Sequence, residues 1–247
     1  MADARALTRA LAMRVRAITD PMLRVRYLGH ELRRLDAGRV SDVITVAAHG
    51  AEARDRELGS LLLGMCLAIA QDDDGSLRDA VVRRAIEQGQ HQTATLLQPS
   101  PAIRESEEPL AVPDFGRGRQ ITLGERKSLA RRRDRDLMAR VLRDPHPDVI
   151  RILLTNPALT EDLVVRLCAQ RPVAPEVMRE VFRHPRWIVS YRVRRAILRN
   201  PYCPLDLALQ LAAHLNAQDA REVVESPELS AALRDACRRV AGLGTLH

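Results

Sequence analysis

The chain has 247 residues, long enough for one large domain or two modest ones with a sizeable core. Aromatic residues are only 2% of it, so Leu, Val, Ile and Ala must do nearly all the packing. No stretch keeps the period-two alternation of half-buried strands, which predicts an all-α protein. Basic side chains outnumber acidic ones 39 to 32, and all but Lys127 of the basic ones are arginine. The surplus is local: residues 121–199 hold 18 basic against 9 acidic side chains, so a polyanion or an acidic protein would be drawn there.

Cys66, Cys168, Cys203 and Cys237 lie far apart with no C-x-x-C pair, which argues against a zinc or iron–sulfur site. The opening residues mix Arg into their apolar positions, unlike a signal peptide, and no apolar run approaches twenty residues. A cytoplasmic protein with no membrane partner is expected.

In chain order, helical spacing of apolar residues begins at 4–18. Asp20-Pro21 has the look of an N-cap followed by proline at the first helical position, opening a helix to about Leu35. Ser41 is read as the cap of a short helix ending at Gly50. Further helices are predicted from Arg54 to Ala70 and from Leu77 to Gly89, with a remnant at 91–97. The acidic turn Asp72-Asp73-Asp74-Gly75 lacks the glutamate that a calcium loop needs. Residues 1–97 are therefore predicted to form a small helical domain. Residues 98–121 hold four prolines, two glycines and a cluster of acids, the signature of a linker. An ordered strap held through Phe115 is the alternative.

The third region, 122–247, is regular. Thr122 and Glu125 have capping-box spacing, and Asp134 is placed to cap the next helix. Pro147, Pro175 and Pro204 fall where helices should begin, with Thr160-Glu161 in the corresponding place between the first two. Ser226-Pro227 is read as the start of a last helix. Apolar quartets keep the same beat: Leu137, Met138, Val141, Leu142; Val149, Ile150, Leu153, Leu154; Leu163, Val164, Leu167, Cys168; and Val177, Met178, Val181, Phe182. Val193, Ala196 and Ile197 follow with a member missing, and Leu207, Ala208, Leu211, Ala212 close the series. The i, i+1, i+4, i+5 spacing marks one helix face. Two such helices cannot bury that face alone and must stack on neighbours.

The turns repeat as well: R-D-P at 143–145, T-N-P at 155–157, Q-R-P at 170–172, R-H-P at 183–185 and R-N-P at 199–201. The stretches DPHPDVIRILLTNPALTEDLVVRL and RVRRAILRNPYCPLDLALQL resemble the leucine-rich repeat variant family, with wider kinship to HEAT and armadillo repeats. The resemblance covers about residues 122–240 and implies an α-solenoid of short helices there; it leaves the helical domain that precedes them unexplained. It implies a binding surface rather than an active site. Some members carry an iron–sulfur centre ahead of the repeats; only Cys66 stands there in this chain, so no cofactor is carried over. HEAT-like DNA repair glycosylases are a remote alternative, and they need aromatics around a carboxylate that this chain scarcely has.

Candidate partner-binding residues fall in the basic segment. Trp187 and Tyr191 stand among Arg186, Arg192, Arg194 and Arg195, where rings beside guanidinium groups could stack bases or grip an acidic peptide. The alternative is that Trp187 plugs a stretched repeat. Arg140, Arg151, Arg166 and Arg179 should line up off the apolar face, either following phosphates or pairing with nearby acids. The run Arg131-Arg132-Arg133-Asp134-Arg135 reads as a helix end passing into a cap. His146 and His184 read as turn residues. No H-E-x-x-H, phosphate loop or nucleophile elbow is present, and no catalytic or metal-binding residue is expected. The leading expectation is a non-catalytic scaffold or adaptor that binds another protein; the alternative is nucleic-acid binding through residues 121–199.

Overall fold

The computed structural model describes residues 2–72, 74–116 and 118–243. Among these residues there are sixteen α-helices and no β-strand, so the protein is all-α. None of the helices is long and apolar enough to cross a membrane. The chain divides into two compact units: Met1–Ser100 with Leu205–His247, and Pro101–Pro204. This partition differs from the one expected at 97/98 and 121/122. Residues from Leu205 onward pack with the N-terminal helices, and most of the expected linker belongs to the second unit.

The first unit begins with α1 (Ala2–Ala17), α2 (Pro21–Arg34), α3 (Ala37–Glu52), α4 (Arg56–Ala70), α5 (Ser76–Glu87) and α6 (His91–Leu97). Asp20 caps α2 by accepting from the Leu23 N–H at 2.9 Å, with Pro21 in the first turn as expected. The third helix is longer than predicted. Asp36 caps it by accepting from the Arg39 N–H, so Ser41 lies inside the helix, fully buried, its hydroxyl donating to the Gln90 side chain. Asp36 caps as well as a serine would and stands five residues earlier, while the Ser41 hydroxyl is taken up by Gln90. Val25, Leu28, Leu32, Val43, Ile44, Leu61 and Met65 form the core. Helices approach closely at Gly64, where an added Cβ would come within 2.6 Å of the Leu28 side chain.

The unit is completed by α14 (Leu205–Ala212), α15 (Ala217–Glu225) and α16 (Ala231–Ala241). Helix α14 packs on α4, α6 and α16. Ser100 Oγ lies 3.0 Å from Asp206 Oδ1, and the buried Gln210 donates to the Leu96 carbonyl. Pro227 does not open a helix: Asn216 caps α15 and Ser230 caps α16, leaving Ser226-Pro227 in the turn between them.

The second unit holds α7 (Leu123–Leu129), α8 (Arg135–Val141), α9 (Pro147–Leu154), α10 (Glu161–Ala169), α11 (Pro175–Arg183), α12 (Pro185–Ile188) and α13 (Tyr191–Leu198). The Thr122–Glu125 capping box forms, Asp134 accepts from the Leu137 N–H, and Pro147 and Pro175 occupy first turns. The quartets of α9 and α11 are wholly buried, and those of α8 and α10 are buried apart from half-exposed Leu137 and Leu163. In α13 the register differs by one member. Leu198 is fully buried and Ala196 is not, so the second place of that quartet is held by Arg194. Helix α9 packs against both α7 and α11, and α10 packs against α13.

Candidate interaction surface

The X-Pro turns of the second unit are fixed by side chains that reach back along the chain. Asn156 Nδ2 donates to the carbonyls of Ala130 (2.9 Å) and Arg132 (2.8 Å), and its Oδ1 accepts from the Ala158 N–H. Asn200 repeats the pattern with the carbonyls of Cys168 and Gln170, both at 2.8 Å, and the Tyr202 N–H. Gln170 donates to the Leu142 carbonyl at 3.0 Å. Asp144 accepts from the His146 N–H and from buried Arg126, at 2.7 Å. Asn and Asp suit this place because their short side chains close a turn on their own backbone. The donor groups left over satisfy carbonyls at the end of an earlier helix, which would otherwise be orphaned. Sequence reading finds these turns as a motif; their reach to earlier helices has no local signature.

The candidate residues have different environments. Trp187 is buried, its indole N–H donating to the Leu154 carbonyl at 2.8 Å, which is the gap-filling alternative. Arg186 lies over the ring with its Cζ 4.2 Å from the centroid, a cation–π pair in which the outer ring face is already covered. Arg194 is half-buried and donates Nη1 to the carbonyls of Ile188 (3.0 Å) and Val189 (2.8 Å), with its Cζ 5.8 Å from the Tyr191 ring. Burial pulls its pKa below the usual guanidinium value. Arg192 pairs with Asp162 at 2.6 Å and Glu161 at 3.4 Å, and the hydrogen bond to Asp162 is the main reason its pKa is raised. Arg195 is half-buried and interacts within the chain.

The four arginines expected as a ladder diverge similarly. Arg151 makes a bidentate pair with buried Glu180, both bonds 2.8 Å, and lies 3.3 Å from Asp148. Arg183 reaches the same Glu180 at 3.4 Å. Arg179 is half-buried and engaged within the chain. Arg140 reaches the Asp114 carbonyl at 3.5 Å, and Arg166 is exposed with no ion pair among the described residues. Lys127 pairs with Asp148 at 2.7 Å, the largest cause of that carboxyl's lowered pKa.

The histidines act as turn residues. His146 Nδ1 accepts from the Asp148 N–H at 3.2 Å, and His184 joins α11 to α12. All four cysteines are buried, and burial pushes the Cys66 and Cys237 thiols up to about 12. A thiol so far from ionisation is a poor nucleophile and a poor metal ligand. In the first unit a cleft of about 450 Å³ is lined by small apolar side chains such as Ala48, Ala212 and Ala236. Its Glu52 is already held by Gln92 (2.7 Å) and Arg239 (3.0 Å). Compared with known proteins, the chain matches no family model, no curated protein and no solved structure.

Proposed function

We propose that this protein is a non-catalytic scaffold or adaptor. Its second unit would be a short-helix α-solenoid of the leucine-rich repeat variant kind, and that solenoid would hold another protein. The observation that carries the reading is the recurrence of the same tie from turn to earlier helix. Asn156, Gln170 and Asn200 each donate to backbone carbonyls between 24 and 32 residues upstream. Ties of that span would bind each helical element to one before it and so hold a row of edges in place. A partner needs such edges to be fixed before it arrives.

The arginine pairing supports a protein over a nucleic acid. Arg126, Arg151, Arg183 and Arg192 are bound to acids of this chain, and Trp187 is buried, so the features best suited to phosphates and bases are used by the fold. Nucleic-acid binding keeps one supporting observation: Arg132, Arg133, Arg135, Arg143 and Arg166 are exposed and make no ion pair among the described residues. The test is capture by the immobilised full chain from a lysate of the cells that make it, with and without nuclease. The expected result is a protein retained after nuclease treatment and lost from the Arg166→Glu, Arg186→Glu double variant. Capture that disappears with nuclease would transfer the role to nucleic acid. No capture at all would reject both.

A further inference from the structure

Residues 101–116 lie within the second unit and run along it in reverse. Ala102 forms an isolated antiparallel bridge with Pro204, and the Arg104 N–H donates to the Pro201 carbonyl at 2.8 Å. Residues 104–111 share a cavity of about 770 Å³ with Pro172 and Tyr202. Leu110 and Ala111 share another, about 290 Å³, with Asp144, Pro145, Pro172 and Val173. Arg140 then meets the Asp114 carbonyl, and Phe115 is buried. As the segment advances from 102 to 115, its neighbours retreat from 204 to 140. It passes Asn200-Pro201, Arg171-Pro172 and Asp144-Pro145 in turn. These are alternate members of the series of X-Pro turns.

Each of those turns also carries an exposed arginine, Arg199, Arg171 and Arg143, and Arg171 donates to the Arg199 carbonyl at 2.8 Å. The segment laid along them carries Glu105, Glu107 and Glu108, all exposed and none in an ion pair among the described residues, followed by Pro109. The seat is shallow. Among the described residues of 101–121, Phe115 alone is buried, and the space beside Ala111 is unfilled. A row of X-Pro turns with one exposed arginine each can receive an extended backbone that carries charge, with only small pockets for side chains.

We propose that this row of turns is a docking track for an extended, acidic, proline-containing segment of a partner protein. The chain's own residues 102–115 occupy it until that segment displaces them. The inference rests on the protein-binding reading above and names the partner's chemistry at the site. A tethered occupant competes at an effective concentration on the order of millimolar, so the chain is guarded against weak, non-specific acidic peptides.

The probe is a fluorescent synthetic peptide of residues 104–116, read by anisotropy against full-length protein at low salt. Wild type should bind it poorly. The Glu105→Arg, Glu107→Arg, Glu108→Arg variant sets like charge beside the turn arginines, should release the internal occupant and should bind at least about tenfold tighter. Adding Arg143→Glu and Arg171→Glu should abolish that gain. Phe115→Ser provides a second release, with circular dichroism to confirm that the helices persist. Ala111→Leu, which fills the cavity internally, should weaken peptide binding instead. Equal binding to wild type and both release variants would overturn the proposal, as would binding indifferent to Arg143 and Arg171, or no binding to any form. Should the peptide fail while nuclease-resistant capture persists, the track is wrong and the scaffold reading stands.

Discussion

In the first unit, α1 to α4 run 14 to 16 residues each, and the caps of α2, α3 and α4 are local aspartates, Asp20, Asp36 and Asp55. In the second, no helix exceeds nine residues and α12 has four. Helices shorter than about 12–15 residues are marginal in water by themselves. The long helices of the first unit present wide apolar faces to one another. The short ones of the second depend on their turns, where Asn156, Asn200 and Asp144 satisfy backbone groups that the helices leave open. Where helices are short, the order of the structure is carried by the connections between them.

The largest test of that contrast is a pair of core truncations. Leu153→Ala in α9 and Leu28→Ala in α2 each remove a fully buried side chain. Both should cost about 2–5 kcal/mol in chemical denaturation, because cores of either kind feel a cavity alike. The turns should separate the units. Asn200→Ala leaves the Cys168 and Gln170 carbonyls without their donor and should cost about 1–3 kcal/mol. Asp20→Ala, at an exposed cap of the first unit, should cost about 1 kcal/mol. Equal losses at the two positions would erase the distinction.

The smallest effect is a pH dependence at the first turn of α7. The hydrogen bond from Arg119, with help from the Thr122 N–H, holds the Glu125 carboxyl down to about 2, against an ordinary value of 4.5. The folded form therefore keeps its proton off more readily than the unfolded chain. The contribution is complete above pH 4.5 and is lost as pH falls towards 2. Amide resonances of Thr122 and Glu125 should shift over that range, and Glu125→Gln should remove the transition.

Features governed by neighbouring residues were legible in the sequence. Pro147, Pro175, Thr122, Glu125 and Asp134 stand where proline geometry and capping chemistry place them. Ser41 misled because a hydroxyl at a plausible spacing looks like a cap until Asp36 is weighed against it. In α13 the pattern preferred Ala196 to Leu198, since an arginine at the second place of an apolar quartet breaks the count. Arg194 sits there because two carbonyls at the end of α12, of Ile188 and Val189, receive its guanidinium. Arg151 reads as a surface rung until Glu180, twenty-nine residues on, is seen to bind it twice. The return of residues 205–247 to the first unit was not legible, because α14 carries the same apolar beat as its predecessors. Periodicity says that a face is buried and leaves open which helices bury it.

Ser100 is hydrogen-bonded to Asp206 in the first unit, and Ala102 is paired with Pro204 in the second. In chain order, residues 101–204 are thus a cassette inserted between the two segments of a host unit. Such an arrangement sets an order on the ribosome. All of residues 101–204 have been made once Pro204 emerges, whereas α14, which packs on α4 and α6, comes later. The host begins first and finishes last.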